Sequence, residues 1–347
     1  MIESNVEFHN ITELQNDSYM QGVVLQRFPE AVRSSLGGKA QFRGRMISQV
    51  ATGAEIRFVT EGSMVGLTIT MLDQDGYIHV YQGEYKHSVH YLNKGMTSTL
   101  HLDASPGFEL IEAGKLNTGR FSPKVWRVMF GRNKVLFNGI DAYGYSLRPP
   151  KPDEVPSVKW LAYGSSITMG VGSHMQPLNY IQSAAARLGV DVYNNGLSGA
   201  CLCEHAMGHF LAERDDWDIA TLELGVNMRA LYTPAEFEQL AGKLIETIVT
   251  KNPNKKVAVV TIFPNWQTWP VDHEKGDTDR AYNRILHNIC DRMNAPNLYV
   301  IEGHEILKKP YWLSNDLVHP SDHGHIAMGE QIAAKLAKIL NLKHSFT

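Results

Sequence analysis

Val158-Lys159-Trp160-Leu161-Ala162-Tyr163-Gly164-Ser165-Ser166-Ile167-Thr168 decides how this chain is read. An apolar run ends in a turn of small residues, and a helical pattern follows. That is a strand closing in a sharp turn, where small neighbours let a serine stand clear of the backbone. Far downstream, Asp316-Leu317-Val318-His319 places a histidine three positions after an aspartate. A serine needs a base to become a nucleophile, and the base needs an orienting partner. The chain supplies all three residue types at suitable places.

Outward from that turn the chain alternates strand and helix. Strands are predicted over 159–163, 191–194, 219–224, 256–262 and 298–301. Apolar residues recur at helical spacing over 178–188, 234–250 and 278–293, and a last helix is predicted over 324–340. In the second of these, Phe237, Leu240, Leu244 and Ile248 stand three and four apart. Such alternation predicts a parallel sheet with helices on both faces. Ligand groups then belong at the carboxyl ends of the strands.

Before residue 150 the character differs. Short runs rich in β-branched and aromatic residues cover 54–59, 65–71, 77–81, 125–130 and 134–137, separated by turn signals. They predict an all-β sandwich of jelly-roll type. No helical period of useful length occurs between Gly38 and Leu147, and Asn138-Gly139 reads as a hairpin or connecting turn. Arg148-Pro149-Pro150-Lys151-Pro152-Asp153-Glu154-Val155-Pro156 follows, with four prolines in nine residues. It reads as a stiff linker. The expected organisation is an accessory β-sandwich over 1–150 and a catalytic α/β domain over 151–347, in keeping with a length of 347 residues.

Thirty-three basic against 36 acidic residues leave a net charge of −3, with no long basic run. Nothing electrostatic points to nucleic acid or an anionic membrane as partner. An apolar fraction of 43% and a charged fraction of 20% fit a soluble globular protein. Cys201, Cys203 and Cys290 are too few and too poorly spaced for a disulfide framework, and read as free, buried thiols. The opening Met1-Ile2-Glu3-Ser4-Asn5-Val6-Glu7 lacks the apolar segment of a secretory signal. No stretch approaches the roughly 20 apolar residues that span a bilayer. A cytoplasmic location is the expectation.

Four segments of the second region end or follow strands: Gly164-Ser165-Ser166-Ile167-Thr168, Asn194-Asn195-Gly196-Leu197-Ser198-Gly199-Ala200, Leu224-Gly225-Val226-Asn227-Met228 and Asp316-Leu317-Val318-His319-Pro320. The alternating topology brings Ser166, Gly199, Asn227 and His319 towards one edge. In this the sequence resembles the SGNH (GDSL-type) hydrolases, which carry Ser, Gly, Asn and His in four ordered blocks. All four blocks have a match here, in order, across the C-terminal half. A β-rich domain ahead of such a domain resembles the two-domain members, carbohydrate acetyl esterases among them.

The resemblance implies a flavodoxin-like three-layer α/β/α domain and assigns roles block by block. Ser166 would be the nucleophile and His319 the base that takes its proton and later delivers it to the leaving alcohol. Asp316 would orient the histidine. The oxyanion hole would be the backbone N–H groups of Ser166 and Gly199 with the side-chain amide of Asn227. Three positions depart from the common pattern: Ser165 and Met228 stand where Asp is usual, and Ala200 where a polar residue is common. The reacting groups are unaffected; the hydrogen bonds around them must differ.

His319, His323 and His325, and His205 with His209, lack a recognised metal-ligand spacing, so no metal or other cofactor is expected. Trp266 and Trp269, at the end of another strand, are candidates for lining an acyl or sugar pocket. Tyr77, Tyr81, Tyr85 and Tyr91 offer an aromatic face in the first region. The expectation is a serine esterase, for which the resemblance implies short-chain acyl esters, acetyl above all, of carbohydrates or glycosides, with an acyltransferase using the same residues as rival. A non-catalytic carbohydrate-binding protein is the alternative of another class. Edge strands in the sandwich would favour a homo-oligomer.

Overall fold

A computed structural model describes residues 1–40, 42–271 and 277–342. The first region forms two antiparallel sheets. One orders Ile2–Glu3, Val6–His9, Glu55–Thr60, Trp126–Phe130, Gly76–Gln82 and Tyr85–Leu92, with Leu147–Arg148 also pairing Glu55–Thr60. The other orders Glu13–Asn16, Val23–Gln26, Val135–Asp141, Met64–Met71 and Thr97–Asp103. Alternate residues meet between the sheets: Ile56, Phe58, Val80 and Val128 face Leu67, Ile69, Leu100 and Val135, all buried. Fully burying each such side chain contributes about 1.5–3 kcal/mol.

Asn138-Gly139 is not a hairpin turn. Both residues lie inside Val135–Asp141, where the pairing with Met64–Met71 shifts register between Phe137 and Gly139. One extra residue is absorbed as a bulge. Asn138 turns its side chain out, donating Nδ2–H to the Gln21 carbonyl at 2.7 Å.

The second region holds five parallel strands, β1 (Lys159–Gly164), β2 (Asp191–Gly196), β3 (Ile219–Glu223), β4 (Lys256–Val260) and β5 (Leu298–Ile301), in the order β2-β1-β3-β4-β5. The α-helices of this region are α1 (Ser166–Met169), α2 (Tyr180–Leu188), α3 (His205–Glu213), α4 (Pro234–Lys251), α5 (Asp277–Met293) and α6 (Asp322–Leu340), with a single further turn at Gly303–Ile306. Within β1, Trp160 and Ala162 face α2 and α6, while Leu161 and Tyr163 face α3, α4 and α5. Three layers result. Strand order reverses between β1 and β3, the switch point where such sheets bind ligands outside their carboxyl ends. Two helices start earlier than or short of their predicted limits because side chains cap them. Asn179 accepts from Gln182 N–H ahead of α2, and Ser321 accepts from Gly324 N–H ahead of α6.

The two regions share buried surface. Strand β2 is an edge strand, and its outward carbonyls are taken by side chains from the first region. His9 Nε2 reaches Val192 O at 2.9 Å, Asn10 Nδ2 reaches Asn194 O at 2.9 Å, and Arg27 Nη1 reaches Asn194 O and Gly196 O at 2.9 and 3.1 Å. An edge that would otherwise template another strand is thereby covered. Beside it, Arg57 makes a bidentate pair with Asp191 at 2.7 and 2.8 Å and also donates to Glu55 at 2.7 Å. Arg127 grips the same Glu55 through two bonds of 2.9 and 2.7 Å. Residues leaving the sandwich after Val23–Gln26 also reach across: Phe28, Val32 and Leu36 share one core with Leu197, Leu202, Met207 and Leu211. Among the described residues no helix is long and apolar enough to cross a membrane.

Candidate active site

The turn after β1 is built for close approach. A Cβ on Gly164 would fall 2.3 Å from Thr168 Oγ1 and 2.7 Å from Glu223 Oε2, so only glycine fits. Ser165 caps α1, its hydroxyl accepting from Ile167 N–H at 3.2 Å. Ser166 opens the helix, where a first-turn N–H has no helical partner. Gly170, with φ +94°, ends it.

Ser166 Oγ lies 2.8 Å from His319 Nε2, and His319 Nδ1 lies 2.6 Å from Asp316 Oδ2. Asp316 faces an acceptor-only role towards Nδ1–H, which leaves Nε2 to accept from the serine hydroxyl. The loop fixes this aspartate: Oδ1 accepts from Val318 N–H at 2.9 Å and His319 N–H at 3.0 Å, with Leu317 in the left-handed region at φ +54°. Partial burial pushes the Asp316 carboxyl up, but the bonds from the His319 ring and the two amides outweigh it and hold it below its ordinary value. Although Ser166 and His319 stand 153 residues apart in the chain, hydroxyl, imidazole and carboxylate form one chain of hydrogen bonds, the arrangement that activates a serine.

Gly199 and Asn227 lie on the loops after β2 and β3, at the sheet edge where β1 ends in the Ser166 turn. Strands β1 and β2 run in register from Lys159↔Asp191 to Gly164↔Gly196, which sets the loop after β2 next to the serine turn. Gly199 adopts φ +67°. Neither the Ser166 nor the Gly199 backbone N–H has an acceptor among the described residues. Asn227 Oδ1 accepts from Cys201 N–H at 3.1 Å, which commits the oxygen and leaves the amide N–H groups to donate. Met228, at one of the departures from the family pattern, is fully buried in the core beneath.

Glu223, at the end of β3, supports the Ser166 turn and was missed by the sequence reading. Its Oε2 accepts from Ser165 N–H at 2.7 Å and from Thr168 Oγ1 at 3.1 Å, bracing the turn from below. Its Oε1 has no hydrogen-bond partner among the described residues. The signal was present as a lone acid within the apolar run Leu222-Glu223-Leu224. Complete burial pushes its carboxyl up to about 7 against the opposing pull of the Ser165 and Thr168 hydrogen bonds. Unfolded, it ionises near 4.5. The folded state therefore holds the extra proton between those values, and stability falls as pH rises through that window, by roughly 3 kcal/mol in all. Glu223→Gln, neutral throughout, is expected to flatten the decline in denaturant-measured stability between about pH 4.5 and 7. An unchanged pH profile would count against a buried, proton-holding carboxyl.

Trp266 and Trp269 border an open apolar cleft of about 550 Å³ with Pro270, Val271, Pro310, Leu313 and Leu317. Trp266 N–H donates to Leu317 O at 2.9 Å, tying this wall to the loop that carries Asp316 and His319. The remaining candidates lie apart. His205 and His209 touch each other on the exposed face of α3 through Nε2 atoms 3.1 Å apart. Buried His325 accepts from Tyr180 N–H and donates to Val171 O, and burial pushes it down to about 4. Tyr77 and Tyr91 are cross-strand neighbours with rings 5.1 Å apart on the sandwich surface, whereas Tyr81 turns towards Arg127. All three cysteines are buried and unbridged.

Comparisons with known proteins bear on the family and the fold. The GDSL-like lipase/acylhydrolase family matches residues 162–327, a span holding all four blocks. No curated protein matches the chain by sequence. Among solved structures, a salicylyl-acyltransferase from a tetracycline biosynthetic pathway superposes with a TM-score of 0.81 at 14% identity, covering 99% of this chain and 97% of that one. A family two carbohydrate esterase from Clostridium thermocellum, in complex with cellohexaose, gives 0.62 at 16% identity over 84% of this chain and 94% of its own. An acetyl xylan esterase from the rumen bacterium Butyrivibrio proteoclasticus gives 0.58 at 12% identity over 98% and 97%. At such identities the likeness shows a shared two-part fold.

Proposed function

With its second domain a member of the GDSL-like lipase/acylhydrolase family, we propose that this ester hydrolase splits short-chain acyl esters, acetyl above all, of carbohydrates or glycosides through an acyl-enzyme on Ser166. The observation behind this reading is the unbroken chain Ser166 Oγ to His319 Nε2 to His319 Nδ1 to Asp316, with contacts of 2.8 and 2.6 Å. Ser166 attacks the acyl carbonyl while His319 takes its proton. The carbonyl becomes an oxyanion facing the N–H groups of Ser166 and Gly199 and the Asn227 amide. His319 then protonates the alcohol oxygen as the carbon–oxygen bond breaks. Water repeats the sequence in reverse, giving the free acid and restoring Ser166. The Trp266 and Trp269 rings would pack against the sugar face or the acyl group. The carbohydrate substrates in the names of two structural neighbours support the same direction.

Labelling with a fluorophosphonate, followed by peptide mapping, tests the chemistry, and a panel of acetylated sugars tests the substrate. Label on Ser166 is expected; ester cleavage without it would sink the mechanism. Asn227→Ala is expected to lower kcat about 10²–10³-fold with little change in KM, because the amide meets charge that exists only in the transition state. A KM effect alone would move Asn227 out of the oxyanion hole.

A second reading is acyl transfer, favoured by the apolar cleft beside His319 and by the acyltransferase among the neighbours. Both reactions use the same residues, and the acceptor decides. With p-nitrophenyl acetate and a competing sugar, free acetate is expected to dominate; a majority of acylated sugar would reverse the assignment.

A further inference from the structure

Arg43 comes from the first region yet stands at the active site. It opens the short helix Arg43–Ile47 in the stretch between the sandwich strands Val23–Gln26 and Glu55–Thr60. That stretch is docked on the second domain by several contacts. Gly37 N–H donates to Glu204 Oε1 at 3.1 Å, Lys39 N–H donates to the Tyr232 hydroxyl at 3.1 Å, and Lys39 Nζ pairs with Glu236 at 2.6 Å. Arg43 Nε donates to the Ser198 carbonyl at 3.2 Å. Its guanidinium covers Gly199, where an added Cβ would come within 2.3 Å of Nε and 2.9 Å of Nη2.

The Ser198 carbonyl and the Gly199 N–H are the two ends of one planar peptide unit. In a trans peptide they point in opposite directions, so a bond that holds the carbonyl also aims the N–H. A cationic donor on the carbonyl polarises the amide, and hydrogen bonds in series strengthen one another. The peptide needs such a hold, since Gly199 sits at φ +67° with the freedom that glycine brings. Arg43 has no carboxylate partner among the described residues, so its charge is not spent elsewhere.

We propose that Arg43 is a positioning residue for the oxyanion hole, through which the N-terminal domain grips the peptide that donates to the developing oxyanion. This rests on the reading of Gly199 as an oxyanion donor. Acylation and deacylation both pass through an oxyanion, so both should slow together.

The test compares wild type, Arg43→Met, Arg43→Lys and Lys39→Ala with p-nitrophenyl acetate, alongside thermal melting. Arg43→Met is expected to lose about 10- to 100-fold in kcat, the size of one charged hydrogen bond, with KM within about twofold and the melting temperature unchanged. Arg43→Lys should recover part of the loss, as should methylguanidinium added to Arg43→Met. Lys39→Ala, which breaks a docking contact only, should keep kcat. A raised KM at unchanged kcat would make Arg43 a substrate-binding group and overturn the proposal. So would unaltered kinetics, or an equal loss in Lys39→Ala, which would reduce Arg43 to general docking. A wild type without Ser166-dependent turnover would defeat the active-site reading and this proposal together; an active wild type with an equally active Arg43→Met would defeat this proposal alone.

Discussion

Ser166→Ala is expected to lower kcat by about 10⁴-fold or more, with the fold intact. The reason is that no neighbour can take over. Ser165 is adjacent in sequence, but its hydroxyl is buried and committed to capping α1 at Ile167 N–H. Of the two serines, Ser166 is the one that hydrogen-bonds the His319 ring. Alanine suits the first turn of a helix and leaves only a hydroxyl-sized gap, so melting should barely move. Ser165→Ala makes the informative contrast. It should cost about 1 kcal/mol of stability through loss of a cap while retaining most of the activity. Steady-state assays with both variants decide: turnover in Ser166→Ala above about one hundredth of wild type would assign the nucleophile elsewhere.

Arg57→Met is expected to destabilise the whole chain by about 3–5 kcal/mol, a large share of a typical 5–15 kcal/mol stability. Arg57 is 1% exposed and holds Asp191 through two bonds and Glu55 through a third. Burial pushes the Asp191 carboxyl up, but Arg57, with His9 and Arg120, more than reverses this and keeps it ionised. Without the guanidinium, Asp191 is a buried charge short of its main partner, while Glu55 keeps Arg127. Guanidinium chloride unfolding should show one cooperative transition displaced to lower denaturant. Adding Asp191→Asn should return part of the loss, because the stranded charge is then gone. A loss below about 1 kcal/mol for Arg57→Met would mean that water reaches Asp191 and that the pair contributes little.

The catalytic half was legible because its chemistry and its folding use local signals. β1 and β3 are short, mainly apolar runs, β2 ends in Asn194-Asn195-Gly196, and a block follows the end of each. His319 and Asp316 are three apart, so one loop sets their contact. What escaped was whatever depends on residues distant in sequence. Glu223 looked like an ordinary acid until β3 was placed beside β1 with its carboxylate under Ser165. That also accounts for the missing aspartate at 165: the serine hydroxyl supplies the cap, and a carboxylate from the adjacent strand braces the backbone. The strands Tyr85–Leu92 and Thr97–Asp103 were missed because they carry many polar residues on solvent-facing positions, which weakens the apolar alternation. Asn138-Gly139 misled for the opposite reason, since a bulge and a turn call on the same residue types. Arg43 carried no sequence signal at all; only the packing of Phe28, Val32 and Leu36 into the second domain's core brings it to Gly199.

The proline-rich stretch at 148–156 looks like the natural place to cut this protein in two. The packing across it argues otherwise. A fragment beginning there would leave the carbonyls of Val192, Asn194 and Gly196 as a bare sticky edge, Asp191 without its counter-charge, and a greasy scar where Phe28, Val32 and Leu36 had lain. The sandwich is thus no detachable cassette. Anyone seeking a minimal catalyst by trimming, or new specificities by shuffling such front ends onto other hydrolases, would have to carry the seam along with the half they wish to keep.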